Sequence, residues 1–313
     1  MPDFDVSVVG ELNLDMILSG LPESLERDRE YLATDFTLTL GSSSAIFAHN
    51  LASLGSKVAF SSSIGSDAFG EICLGKLRPS GVDLGGVRTF DGEQTGVTVI
   101  APSGTERYIL TYPGTIVKMS YRDLDLNYVL NAKHFHLSSY FLHRALRPQI
   151  PTLFRKAKEA GLTTSLDTND DPEGLWSGDL FEALRFVDVL FPNEREAGLM
   201  AHTDDAKRAA EILGERVPLL VIKRGAQGAF ARRRGGETFT AAPLHVTMVD
   251  PIGAGDSFDA GFVHQFVRGQ GIEVCLRFAN VTGALCATRA GGTEAFRDAN
   301  YRDCFLQENW KQY

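Results

Sequence analysis

The stretch Asp250-Pro251-Ile252-Gly253-Ala254-Gly255-Asp256-Ser257-Phe258-Asp259-Ala260-Gly261-Phe262 follows an extended run, Leu244 to Val249, and leads into apolar positions at Phe258, Phe262, Val263, Phe266 and Val267. That spacing predicts a helix, so the stretch reads as a glycine-rich turn opening a helix. The first N–H groups of a helix have no internal partners and carry the positive end of its dipole. Gly253 and Gly255 lack a Cβ and let an anion come close to those groups. A carboxylate beside such an anion hole is suited to taking a proton from a hydroxyl that attacks a phosphoryl group, which makes Asp256 the candidate general base. A structural αβ turn with a capping Asp has a similar local pattern. Asp259, three residues on, reads as a first-turn carboxylate favoured by the dipole. Two other nucleotide motifs fail: Gly253 to Phe258 lacks the third glycine of the dinucleotide fingerprint, and Gly65-Ser66-Asp67-Ala68-Phe69-Gly70 is followed by Glu71 where a P-loop needs Lys.

On these residues the chain resembles the ribokinase family of sugar kinases, also called the phosphofructokinase-B family, whose C-terminal motif is D-x-x-G-A-G-D before a helix. The resemblance implies an α/β fold, a doubly wound, mainly parallel sheet flanked by helices, with a small β-sheet lid. It also implies transfer of the γ-phosphate of ATP to a sugar or nucleoside hydroxyl with Mg²⁺. Carried over, the base is Asp256 and the anion hole is the backbone of Gly253, Ala254 and Gly255. Pro251 stands where the family commonly has Thr, which removes a hydroxyl and a backbone donor.

The 313 residues suffice for one large α/β domain or a core with a small second domain. Forty acidic against 31 basic residues leave a net charge of −9, which argues against general nucleic-acid binding. Cys73, Cys275, Cys286 and Cys304 are widely spaced and form no C-x-x-C pair, so neither a zinc site nor a disulfide framework is expected, and a reducing, cytoplasmic setting fits. The acidic N-terminus and the lack of any long apolar run predict neither a secretion signal nor a membrane span.

Val6 to Val9 reads as a first buried strand ending at Gly10, followed by Glu11, Leu12, Asn13, Leu14 and Asp15. Polar side chains at that end of a parallel strand are where open α/β sheets bind ligands, though a solvated loop reads the same way. G-E-x-x-x-D resembles the start of many of these kinases, which implies sugar binding by Asp15, with Asn13 as a second candidate. Tyr31 to Leu40, Gly96 to Ile100 and Arg107 to Tyr112 lie outside the strand-helix alternation and make a small sheet matching the lid. Arg107 and Tyr112 are candidates to reach a substrate from it, or ordinary exposed strand residues. Gly41-Ser42-Ser43-Ser44-Ala45 and the helix after it resemble the family's Gly-Gly turn, with Gly41 and Ser42 as candidate substrate residues. Ser42 replaces the second glycine, and Ile46 replaces an Asn that often contacts the sugar.

Further along, His134 and His136 share one face of a strand but have no third metal ligand nearby. Leu162 to Asn169 resembles the family strand whose F-D-x-N end faces the site, implying Asp167 and Asn169 as pocket residues, with Asp170 where a basic residue is common. Asn193 and Glu196 have the spacing of a capping box, and also match the family's N-x-x-E, which implies nucleotide binding at Asn193 and water-mediated Mg²⁺ binding at Glu196. Lys223-Arg224-Gly225-Ala226-Gln227-Gly228 resembles the nucleotide loop, where Lys223 or Arg224 would offset phosphate charge and Gly225 and Gly228 approach the nucleotide. Arg232 to Arg234 before Gly235-Gly236 reads as a solvated hairpin tip, and Asn280 corresponds to a family position beside the adenine.

The resulting expectation is an ATP-dependent sugar kinase with a core of residues 1–10, 41–85 and 115–313 and a lid of residues 11–40 and 86–114. A nucleoside kinase of adenosine type, or a noncatalytic sugar- or nucleotide-binding protein of the same fold, are the alternatives. The family further implies a monovalent cation such as K⁺ at Asp250 and Ile252, and a homodimer through the lid.

Overall fold

Val6-Ser7-Val8-Val9 and Leu219-Leu220-Val221-Ile222 are apolar with little alternation, the pattern of strands covered on both faces. The computed structural model describes residues 2–22, 24–103, 106–176 and 178–310, without the side chains of residues 102, 103, 106 and 107. It forms, in order, β1 (Phe4–Val9), β2 (Asn13–Ser19), β3 (Asp35–Leu40), α1 (Ser43–Ser53), β4 (Val58–Gly65), α2 (Ala68–Leu77), β5 (Asp83–Phe90), β6 (Gly96–Ser103) and β7 (Glu106–Tyr112). Then come α3 (Leu126–Val129), β8 (Ala132–Ser138), α4 (Ile150–Glu159), β9 (Thr163–Asp167), α5 (Leu180–Ala183), β10 (Val189–Leu190), α6 (Glu194–Ala201) and α7 (Ala206–Gly214). The chain closes with β11 (Leu219–Lys223), β12 (Ala229–Arg233), β13 (Thr238–Ala241), α8 (Ala254–Phe266), α9 (Ile272–Ala287), α10 (Glu294–Arg297) and α11 (Ala299–Asn309).

A nine-stranded sheet runs in the order β13-β12-β11-β10-β9-β8-β1-β4-β5. Only β12 runs opposite to the rest, pairing antiparallel with β11 and with β13; the other pairs are parallel. Separate hydrophobic cores cover its two faces. Phe135, Leu137, Phe154, Leu166 and Leu220 lie in one, and Val6, Val8, Phe47, Phe60, Phe191, Val221 and Phe262 in the other. Strand order reverses beside β1, so the ends of β1, β8, β9, β10 and β11 open toward one crevice, the usual ligand position of such sheets.

The second sheet has four strands in the order β3-β2-β6-β7 and forms a lid-like layer. Residues 13–19, within the segment 11–40 expected to belong to the lid, form one of its two inner strands, pairing with β3 and β6. β5 stays in the large sheet through Phe90, past the expected boundary at residue 86. Residues 244–249, the extended run before the glycine turn, belong to neither sheet. Asp259 is corrected too: α8 begins at Ala254, so Asp259 lies in its second turn and is buried.

Candidate active site

Gly253 adopts φ +75°, a left-handed conformation in which a Cβ would lie 2.5 Å from the Gly292 Cα. It is the N-cap of α8, and Asp256 falls in the helix's first turn. The turn is held from three sides. Ser257 Oγ donates to the Gly253 carbonyl at 2.7 Å, and Asn50 Nδ2 from α1 donates to Ser257 Oγ at 2.8 Å and to the Gly292 carbonyl at 2.9 Å. Asp250 accepts from the Ile252 N–H at one oxygen and from the Gly291 N–H at the other, each at 2.9 Å. Ile46 is buried with its Cγ2 3.2 Å from the space a Gly253 Cβ would occupy, so it forms an apolar wall of the turn where an Asn would offer an amide.

Asp256 is part-buried among groups of both signs. Burial raises its carboxyl most, Asp167 raises it further, and Lys223 and a hydrogen bond with Ser43 oppose them, leaving it at about 7. A carboxyl at that value is ready to accept a proton near neutral pH. Glu196 is likewise raised to about 7, by burial and then by Asp167, against Lys223 and the Asn193 N–H. Its Oε2 accepts from the Asn193 N–H at 2.9 Å while Asn193 Oδ1 accepts from the Glu196 N–H at 2.9 Å, a complete capping box on α6. An isolated bridge between Asn193 and Lys223 brings the start of α6 beside the end of β11.

The cleft beside the turn has a volume of about 420 Å³ and takes in Lys223, Gly225, Gly228, Ala254, Gly255 and Asn280. Asn280 Nδ2 donates to the carbonyls of Ala241 and Ala242, at 3.2 and 2.8 Å, and so ties α9 to the cleft wall. Arg224 also lines the cleft, with its Nε donating to Glu194 at 3.0 Å. Lys223 and Asp167 differ from the expectations for them. Lys223 Nζ is 2.6 Å from Asp167 and 3.1 Å from Asp259, whose side chains are 2% and 1% exposed. The lysine is thus already engaged by two carboxyl groups, and Asp167 is buried against it.

Asn13, Asp15 and Gly41 come together on the lid side. Asn13 Nδ2 donates to Asp15 Oδ1 at 3.3 Å and to Thr98 Oγ1 at 3.2 Å, and Thr98 meets Thr111 at 3.1 Å. The pairing Thr39↔Asp15↔Thr98↔Thr111 makes one polar row across all four strands. A Cβ on Gly41 would lie 2.1 Å from Asp15 Oδ1, so only glycine leaves that carboxylate its place. Ser42 takes φ +74°, the conformation its family glycine would favour, and caps α1 by accepting from the Ala45 N–H. Asn169 donates to Ser139 Oγ at 3.3 Å and accepts from Ser43 Oγ at 3.2 Å, which places it by the start of α1. Arg107 lies outside the described side chains. His134 and His136 are buried and joined through Ser165.

Glu11 was assigned no role of its own from the sequence, and neither were Asn50, Ser139 and His143. Glu11 is fully buried, accepts from Ser44 Oγ at 2.6 Å and Ser139 Oγ at 2.8 Å, and stands 3.5 Å from His143 Nε2. Burial works against its ionisation, but His143 and Ser44 outweigh that and hold its carboxyl at about 2. The one signal was a Glu directly after a buried strand.

The pfkB family carbohydrate kinase model matches residues 3–299. The ATP-dependent ribose-1-phosphate kinase of Halopiger xanaduensis is 32% identical over 290 residues, covering 91% of this chain and 93% of that protein. The structure of Arabidopsis thaliana ribokinase complexed with ribose and ATP is 26% identical with a TM-score of 0.83, covering 97% of this chain and 99% of that one. An E. coli structure in complex with ATP and Mg²⁺ is also 26% identical, with a TM-score of 0.84 and coverage of 97% and 99%. Among the described residues no helix is long and apolar enough to cross a membrane. The chain belongs to the pfkB family and is a carbohydrate kinase.

Proposed function

We propose that this kinase transfers the γ-phosphate of ATP to a carbohydrate hydroxyl, with Asp256 as general base and the Gly253, Ala254 and Gly255 backbone as anion hole. The observation that carries the reading is the position of a carboxyl with a pKa of about 7 in the first turn of α8, directly after a glycine in the left-handed conformation. ATP would occupy the cleft between Gly225, Gly228 and Asn280, and the acceptor hydroxyls would meet Asp15 and Asn13 under the lid. Glu196 fits a hydrated Mg²⁺, being a desolvated oxygen donor next to Asp167 at a place that favours positive charge. Mg²⁺ bound with the triphosphate would neutralise charge on the transferring group. Asn193 and Glu196 then act twice, capping α6 and orienting the water shell. Proximity and electrostatics would supply most of the acceleration.

A monovalent cation at Asp250 and the Ile252 carbonyl is part of the proposal, checked by exchanging K⁺ for a bulky organic cation. So is a homodimer, since Phe36, Tyr108, Leu110 and Tyr112 are exposed on the lid strands; sedimentation tests it. A nucleoside acceptor is favoured by one feature: the next row on the same face of the lid is Thr37↔Ile17↔Ile100↔Ile109, apolar on three of the four strands and suited to an apolar base. The deciding experiment is ADP release from MgATP with free sugars, ribose 1-phosphate and nucleosides, using Asp256→Asn as control. Release with one acceptor class that disappears in the variant supports the reading and selects the class. Release that persists in the variant removes Asp256 from the chemistry.

A further inference from the structure

Behind the anion turn one lysine faces several carboxylates. Lys223 Nζ contacts Asp167 at 2.6 Å and Asp259 at 3.1 Å, joining the ends of β9 and β11 to the second turn of α8. The same Nζ lies 3.6 Å from the point a Cβ on Gly255 would occupy, directly beneath the backbone of the hole. For Lys223 to swing onto a phosphate it would have to leave two buried carboxylates unpaired, which is strongly unfavourable. We infer that Lys223, clamped by Asp167 and Asp259, is a positioning residue: a fixed charge that seats the start of α8 and sets the field in which Asp256 gains and loses its proton. The inference rests on the reading of Asp256 as the base.

The groups around Asp256 come from every neighbouring element. They are Asp167 from β9, Lys223 from β11, Ser43 from α1, Glu11 from the β1–β2 connection, Asp259 from the same helix and Cys286 from α9. Asp167 and Lys223 act on Asp256 in opposite directions, the first favouring its protonated form and the second its ionised form. Removing the lysine charge therefore raises the pKa of the base, and removing the charge of Asp167 lowers it.

The test is the pH dependence of kcat/KM, with KM for ATP, in Lys223→Met, Lys223→Arg and Asp167→Asn. In Lys223→Met the acidic limb moves up by about one pH unit and kcat falls about 100-fold, while KM for ATP stays within about twofold. In Asp167→Asn the limb moves down, and Lys223→Arg restores part of the lost turnover. A phosphate ligand would behave otherwise: KM for ATP rising about tenfold with an unmoved limb in Lys223→Met overturns the inference. Should Lys223→Met fail to fold, an unmoved limb in Asp167→Asn overturns it equally. Wild-type protein that turns over no acceptor counts against the kinase mechanism and takes this inference with it, whereas turnover with an immobile limb counts against Lys223 alone.

Discussion

Replacing Asp256 by Asn should cripple the enzyme and stabilise the protein. The folded state holds the Asp256 carboxyl at about 7 against an ordinary value of 3.8, so it binds the proton more tightly than the unfolded chain does. The sign follows directly: the destabilisation is absent below about pH 4, grows as pH rises toward 7, and is complete above it. A group sealed from water would lose about 4 kcal/mol over that range, at about 1.4 kcal/mol per pH unit. Asp256 is only part-buried and shares its field with Asp167 and Lys223, so about 2 kcal/mol is the better figure. For a chain of 313 residues that corresponds to a rise in Tm of about 3 °C. Asn keeps the shape of the protonated acid, so the gain should appear in thermal melts at pH 8 and vanish at pH 4. Turnover should drop by about 10² to 10⁴, the usual contribution of a general base, with ATP affinity nearly unchanged. A Tm change equal at both pH values, or turnover near that of wild type, would refute the reasoning.

Two further substitutions separate the halves of the site. Gly41→Ala places a methyl 2.1 Å from Asp15 Oδ1, so KM for the acceptor should rise at least about tenfold while KM for ATP stays put; equal changes in both would remove Asp15 from acceptor binding. Asn50→Ala removes the bonds to Ser257 Oγ and the Gly292 carbonyl, and urea unfolding should show a loss of about 2 to 3 kcal/mol together with lower kcat. An unchanged midpoint would mean that the turn is held without Asn50.

What the sequence determined by itself is whatever lies within one segment. The apolar runs of β1 and β11 announced buried strands, the Asn193 and Glu196 spacing announced a cap, and Gly253 to Asp256 announced a turn opening a helix. Spacing along a few residues decides backbone conformation and facing side, so such features survive without knowledge of the partner. The tertiary structure decided the rest. Asn13 to Ser19 has an extended pattern whichever sheet takes it up, and only its pairing with β3 and β6 makes it a lid strand. Lys223 is separated from its partners Asp167 and Asp259 by 56 and 36 residues, and nothing near it in the chain distinguishes a phosphate ligand from a buried ion pair. Asp259 was misread for the same reason, and Glu11 carried no role of its own because its partners Ser44 and Ser139 lie 33 and 128 residues away. The role of a charge depends on its solvation and on the charges around it, and in this chain both are assembled across space from β9, β11, α1 and α8.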